Sequence, residues 1–360
     1  MPITFGSTSA PSNITQYLDS VFGTSLANYR EQLIDNIGAI NAFLFKLLKS
    51  DFYESCDGGA FIQEPLMYGL TPADSYDGWD ELGTLPTDGI TDAIYEWRQC
   101  AAAITYNMKE VYQNQHKIVS LVKSRIMQGE MGLQEYFQQA LWWGSGDGAL
   151  KTPKVSTING SNSIEFMAKL VDYASSGTGM VGNLDQSLST NSWWRNKSFT
   201  SAAATYDNLM LEINQSYTNT SLGTGGPVDL MPMDEITYEL FTQAYWLKYR
   251  VVNDGDPNFP FENKKFRNAL IVLEDKVPDV ANNLVSAAAK GSIYFLNTKF
   301  FRIRYHPERN FEMLKDEQGR TFAKPINGDS RIGHLAWMGN VTTNNRRKQG
   351  VRGNIARTLT

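Results

Sequence analysis

The sequence predicts an α+β fold, with helices and strands gathered in separate stretches rather than alternating as in a doubly wound parallel sheet. Three observations carry this. Apolar residues recur at helical spacing in long stretches, one run near the C-terminus alternates as a strand, and a long excursion between helices is poor in aliphatics. Of the 360 residues, 42% are apolar and 20% charged, so a sizeable core is available and global disorder is excluded. That length suits one or two domains.

The polar start "MPITFGSTSAPSN" has no basic patch followed by an apolar run, so it does not read as a signal peptide, and a cytosolic origin is expected. Leu26, Leu33, Ile37, Ile40, Leu44 and Leu47 then form one helical stripe, weakened but not broken by Gly38. Residues 51–108 differ in kind. They open with "DGGAF", carry Pro65, Pro72 and Pro86, and hold the turn material "YDGWDELG" between strand-like runs "AFIQEPLMYG" and "AIYEWRQCAAAITYN". This predicts a two-stranded excursion with an irregular acidic tip, too poor in aliphatics to build its own core.

A helix is expected from Lys109 to Trp143, bent or interrupted at Gly129 and Gly132. "GSGDGALKTPK" reads as a linker and "SIEFMAKLVDYASSG" as a short helix. "GNLDQSLSTNSWWRNKS" reads as irregular, "SAAATYDNLMLEIN" as a helix, and "MDEITYELFTQAYWLKY" as a helix with acids first and bases last. "GSIYFLN" is strand-like. In "KFFRIRYHP", Phe301, Ile303 and Tyr305 point one way while Arg302, Arg304 and His306 point the other. The three like-signed or titratable groups on that second face are expected to meet acids of a neighbouring element or subunit.

Charge is unevenly spread. From Asp51 to Trp97 there are eleven Asp or Glu, among them Asp77, Asp80 and Glu81 beside Trp79, and no Lys or Arg. From Ser330 to the end there are six Lys or Arg and no acid, Arg346, Arg347, Lys348 and Arg352 included. Either these are a solvated loop and a basic tail, or two segments of opposite sign meet, within one chain or between copies. The net charge of −5 argues against a dedicated nucleic-acid binder.

Chemistry leaves no recognisable mark. The three histidines, His116, His306 and His334, have no partner at metal-ligand spacing. "GSGDG" and "GTGG" lack the GK[ST] of a phosphate loop, and there is no GxSxG elbow. No catalytic residue, cofactor or metal is expected. Cys56 and Cys100 are expected to be free thiols. A soluble enzyme or carbohydrate-binding protein is suggested only by the 43 aromatic residues (8 Trp, 17 Tyr, 18 Phe).

The stretch "YFLNTKFFRIRYHP", followed by Trp337, Gly339, Asn340, Asn345, Arg346, Arg347, Gln349 and Gly350, resembles the end of tailed-bacteriophage major capsid proteins with the Hong Kong 97-type fold. "GTGMVGNLDQSLSTNSWWRNK", with Asn183 and Leu184 near its start and Trp194, Arg195 and Asn196 at its end, is similar to a central segment of that family. Residues 60–97 resemble its extended loop. The likeness runs in order from about residue 58 to the end.

The resemblance implies an N-terminal arm over 1–50, an extended loop over 51–108 lying across a neighbouring subunit, and a peripheral domain with a long spine helix over 109–184. It further implies an axial domain over 185–290, and a return to the peripheral domain with a basic tail over 291–360. Trp193, Trp194 and Arg195 would brace the hinge between domains, one ring inward and the other, with Arg195, toward an adjoining element or subunit. The implied function is a shell protein forming hexamers and pentamers around packaged double-stranded DNA that it encloses without reading. Scaffold, portal and decoration proteins are possible partners, no membrane is involved, and assembly is expected in a bacterial cytoplasm. An encapsulin-type nanocompartment is the alternative of the same fold. Capsids of this fold that cross-link their subunits use a lysine on the loop, and none stands between Lys49 and Lys109. The acidic loop is therefore expected to be held non-covalently, with Arg346 to Arg352 or other Lys or Arg of a neighbour as its partners.

Overall fold

The computed structural model describes residues 47, 52–71, 73–79, 88–114, 121–143, 164–173, 179–248, 264–274, 276–277, 291–315, 319–325, 328–357 and 359. The early apolar stripe, apart from Leu47, and the tip residues Asp80 and Glu81 lie outside them. The strands are β1 Tyr53–Ser55, β2 Ile62–Met67, β3 Ile90–Tyr95, β4 Arg98–Asn107, β5 Met180–Val181, β6 Leu184–Asp185, β7 Lys197–Thr200, β8 Leu230–Met233, β9 Lys264–Phe266, β10 Ala269–Leu273, β11 Gly291–Phe295, β12 Phe301–Met313, β13 Ser330–Thr343 and β14 Gly350–Ile355. The helices are α1 Met108–Gln113, α2 Leu121–Trp143, α3 Met167–Leu170, α4 Tyr206–Ser221 and α5 Glu235–Lys248. Two compact units divide them. The smaller takes Cys100–Tyr136 and Glu308–Trp337, and the larger takes the described residues of Ile40–Gln99, Phe137–Pro307 and Met338–Thr360.

A six-stranded sheet in the order β7-β14-β11-β8-β10-β9 forms the core of the larger unit. In α4 the apolar residues Leu209, Ile213 and Tyr217 fall four apart, so they make one stripe, and that stripe packs with Leu240, Phe241 and Ala244 of α5 on Met231, Met233, Ile271 and Ile293. Each fully buried aliphatic here contributes about 1.5–3 kcal/mol. Thr205 caps α4 by accepting the Asn208 N–H at 3.3 Å, and Asp234 accepts the Thr237 N–H at 3.4 Å at the start of α5. All five residues of β11 are buried. A Cβ on Gly291 would stand 1.9 Å from Thr237 Oγ1, so only glycine lets α5 approach the strand this closely.

This sheet crosses the sequence division at residue 291. β11 and β14 lie inside the sheet whose other strands come from 197–273, so the last residues are no free tail. β14 pairs in parallel with β7, Gly350 opposite Lys197, and antiparallel with β11. Composition suggested a solvated tail because it counts Arg352 without showing its buried partners.

The excursion is a hairpin. β2 and β3 pair antiparallel from Ile62 opposite Tyr95 to Met67 opposite Ile90. Ile62, Glu64 and Leu66 are buried, while the alternate residues Gln63, Pro65 and Met67 face out. The second strand-like run is not one strand: it breaks at Glu96–Trp97, and β4 belongs to a separate four-stranded sheet in the order β1-β12-β13-β4. β1 runs parallel to β12, with Tyr53 stacked on Tyr305 at 4.1 Å.

In the smaller unit, Gly129 does not interrupt α2, which is continuous from Leu121 to Trp143. A Cβ at Gly129 would stand 2.7 Å from Ile104 Cγ1, so this glycine gives β4 room against the helix. Phe311 and Trp337 pack at 6.3 Å, and Tyr106 meets Phe322 edge-on at 5.2 Å.

Candidate assembly site

Trp194 sits at the end of a 3-10 helix, Ser189–Trp194, and is 1% exposed. Its indole Nε1–H donates to the carbonyl of Val181 at 2.9 Å, which ties the helix to the β5–β6 turn. Trp193 points elsewhere and stacks on Tyr68 at 5.0 Å, at the end of β2. Arg195 folds back on its own chain, donating to the carbonyls of Gln186 at 2.7 Å, Ser187 at 2.9 Å and Leu188 at 3.2 Å. One ring thus faces inward and the other meets an adjoining element, and the arginine closes the turn between them.

Arg346 is the centre of this region. Its side chain is fully buried and lies over the Trp194 ring at 5.9 Å. It donates to the carbonyls of Leu170 (2.8 Å), Trp194 (3.2 Å) and Lys169 (3.3 Å), and to the side-chain oxygens of Gln186 (2.8 Å) and Asn196 (3.2 Å). No carboxylate is among these hydrogen-bond partners, and burial pulls the guanidinium down to about 10, against weaker support from Tyr95 and from the charges of Asp172 and Glu165. Five acceptors from three segments converge on one planar fork, a geometry that lysine's point charge cannot reproduce.

The hairpin root is held by a second set of contacts. Glu64, 5% exposed, accepts from Thr342 Oγ1 at 2.9 Å and from Arg304 Nε at 3.2 Å. Arg304 also reaches Glu54, as does Arg302 at 2.9 Å. The Tyr95 hydroxyl donates to the Thr343 carbonyl at 3.0 Å, and burial raises its pKa far above the ordinary phenol value. Asn340, fully buried, donates to the Glu96 carbonyl at 2.8 Å and accepts the Glu165 N–H at 2.8 Å. Beside these residues a cavity of about 310 Å³ is lined by Glu96 and Glu165, Arg98 and Lys169, whose charges balance within it. Among the described residues no group of His, Cys, Asp or Glu could hold a metal ion, and no helix is long and apolar enough to cross a membrane.

Solved structures match this chain over nearly their whole length. The capsid of cyanophage A-1(L) matches with a TM-score of 0.61 at 14% identity, over 92% of this chain and 97% of that one. The capsid of the native GTA particle matches with a TM-score of 0.58 at 10% identity, over 98% of this chain and 100% of that one. The fold is the Hong Kong 97-type fold. The holo-SrpI encapsulin of Synechococcus elongatus is similar too, with a TM-score of 0.53 at 10% identity, over 99% of this chain and 98% of that one. No family model matches the sequence, and no curated protein does.

Within this Hong Kong 97-type chain the expected site residues separate into three groups. Trp193, Trp194, Arg195 and Arg346 come together, as do Arg302 and Arg304, whose acids are Glu54 and Glu64 of the same chain. Arg346, Lys348 and Arg352 are buried against partners of their own chain. Lys348 donates to the carbonyls of Ser221, Leu222 and Gly223, and Arg352 pairs with Glu212 at 3.0 Å and Ser216 Oγ at 2.7 Å. These cations cap the end of α4 and line its flank, where carbonyls and an acid need them. Asp77 and Trp79 stand apart and exposed at the hairpin tip, and Arg347 alone of the basic run is exposed. Glu64, Gln186 and Asn340 were not expected as site residues. Glu64 did carry a signal, since a carboxylate in phase with Ile62 and Leu66 must find a partner.

Proposed function

We propose that this chain is the major capsid protein of a tailed phage, assembling as hexamers and pentamers into an icosahedral shell around double-stranded DNA. The observation that carries this reading is the match over 92% and 97% of this chain with the capsids of cyanophage A-1(L) and of Myoviridae phage XM1. Its role is structural, with no catalytic group, and it acts in the virion after assembly in the bacterial cytoplasm. The β2–β3 hairpin serves as the extended loop across a neighbour, and residues 185–290, with β11 and β14, form most of the axial domain. A shell multiplies each contact by its copy number, so modest, mutually consistent contacts suffice and allow errors to be corrected. A net charge of −5 suits a wall that must not grip the packaged phosphates.

The encapsulin likeness supports a second reading, a nanocompartment with protein cargo. Electron micrographs of purified native particles separate the two. DNA-filled, tailed particles are expected, and small tailless shells holding protein would favour the second.

A further inference from the structure

The hairpin tip is both acidic and apolar. Trp79 is 98% exposed, Leu70 81% and Tyr76 66%, and Asp74, Asp77, Asp88 and Asp92 are exposed around them. A two-stranded ribbon with this much bare aromatic surface is a surface made to be covered.

The opposite character appears around the loop that follows α4. Lys197 stands opposite Gly350 across β7–β14, three positions from Arg347. The Lys299 ammonium lies 3.7 Å from the Cβ position of Gly226 on that loop, and Lys348 is seated on the carbonyls of residues 221–223. Lys299 and Arg347 are exposed, and Leu222 beside them is 61% exposed. Among the described residues, Lys197, Lys299 and Arg347 have no carboxylate within ion-pair distance, and Arg347 and Lys348 sit close enough to Lys197 to lower its pKa, behind desolvation as the larger cause. Cations crowded together without an acid mark a surface completed from outside.

Lys197, half-buried, already donates its ammonium to the Asn219 carbonyl near the end of α4, which leaves Lys299 and Arg347 as the exposed cations. We propose that Lys299, Arg347 and Leu222 form the docking surface for the hairpin tip of a second copy of this chain, Asp74 and Asp77 meeting the cations and Trp79 or Tyr76 covering Leu222. This rests on the shell reading and names the surface that receives the hairpin. Charge complementarity selects the occupant: the hairpin has no Lys or Arg between Asp51 and Trp97, and among the described residues Lys299 and Arg347 meet no carboxylate at ion-pair distance. DNA is the poorer fit, because the exposed Leu222 has nothing to meet on a phosphate backbone.

The test uses the full chain and the charge reversal Lys299→Glu with Arg347→Glu, two exposed side chains whose change leaves the folded subunit's melting temperature intact. Shell yield is expected to fall at least tenfold and to recover when Asp74→Lys and Asp77→Lys are added in the same chain. Asp77→Cys with Arg347→Cys is expected to give subunit dimers on oxidation of assembled shells, while each single variant does not. Unchanged yield and salt tolerance in the reversed variant would overturn the docking surface while leaving the shell reading intact, as would normal shells that only lose DNA. Wild-type chain that never forms particles would overturn the shell reading itself.

Discussion

Trp193 stacks on Tyr68 with 5.0 Å between ring centroids, so the segment that buries Trp194 also grips the end of the first hairpin strand. Neighbouring tryptophans therefore have different work. Trp194 fills the interior and satisfies the Val181 carbonyl, while Trp193 sets where the hairpin leaves the body.

Their substitutions are expected to separate. Trp194→Ala should cost on the order of 3 kcal/mol, as for a buried aromatic. Trp193→Ala should cost nearer 1 kcal/mol, the worth of an aromatic pair, and show chiefly as faster proteolysis of residues 62–95. Denaturant unfolding measures the first and limited proteolysis the second. Equal costs would mean that both rings serve the same core.

Arg346→Ala should cost about 3–5 kcal/mol, because a buried fork leaves behind polar groups oriented around it. Arg346→Lys should recover little, since one ammonium cannot reach acceptors spread over three segments. A loss below about 1 kcal/mol in urea unfolding would show that water replaces the guanidinium freely.

The hairpin root depends on Arg304, which is 26% exposed and faces Glu54 and Glu64. Arg304→Gln should cost about 1–2 kcal/mol, discounted for that exposure. Arg304→Glu should cost more and open the root, since Glu64 would keep its burial and meet a like charge. Cleavage within the hairpin at low protease concentration reports the opening, and an unchanged rate in Arg304→Glu would contradict the clamp.

The sequence carried the order of elements well. The alternation Phe301–Arg302–Ile303–Arg304 read correctly because Phe301 and Ile303 are buried while the arginines stay at the edge. The hairpin was legible from turn residues at its tip and alternation in its arms. The burial of Arg346, Lys348 and Arg352 was hidden because their acceptors, the Leu170 carbonyl, the end of α4 and Glu212, lie more than a hundred residues away in the chain. Composition registers a charge but not the carbonyls that solvate it. The packing role of Gly129 was hidden for a similar reason: the partner requiring its missing side chain, Ile104, lies on another element.

Both cysteines are free, Cys100 buried and Cys56 partly accessible. Burial pushes the Cys100 thiol up to about 11, against a weaker opposing hydrogen bond with the Trp337 backbone. Between about pH 9 and 11 the unfolded chain loses this proton while the folded chain keeps it, so the contribution of Cys100 to stability falls as pH rises through that window. Cys100→Ala should flatten this part of the stability–pH curve. At pH 8 a thiol reagent should modify one residue per native chain quickly, Cys56. Two equally fast thiols would contradict the burial of Cys100.

The central claim is that the chain is built to close a shell with copies of itself. The most direct measurement is the mass of the purified full chain in solution, by light scattering on a size-exclusion column at physiological salt and pH. The account predicts megadalton particles that fall apart to smaller species as salt rises. A stable 40.4 kDa monomer whose melting temperature shifts on adding a small ligand would contradict it.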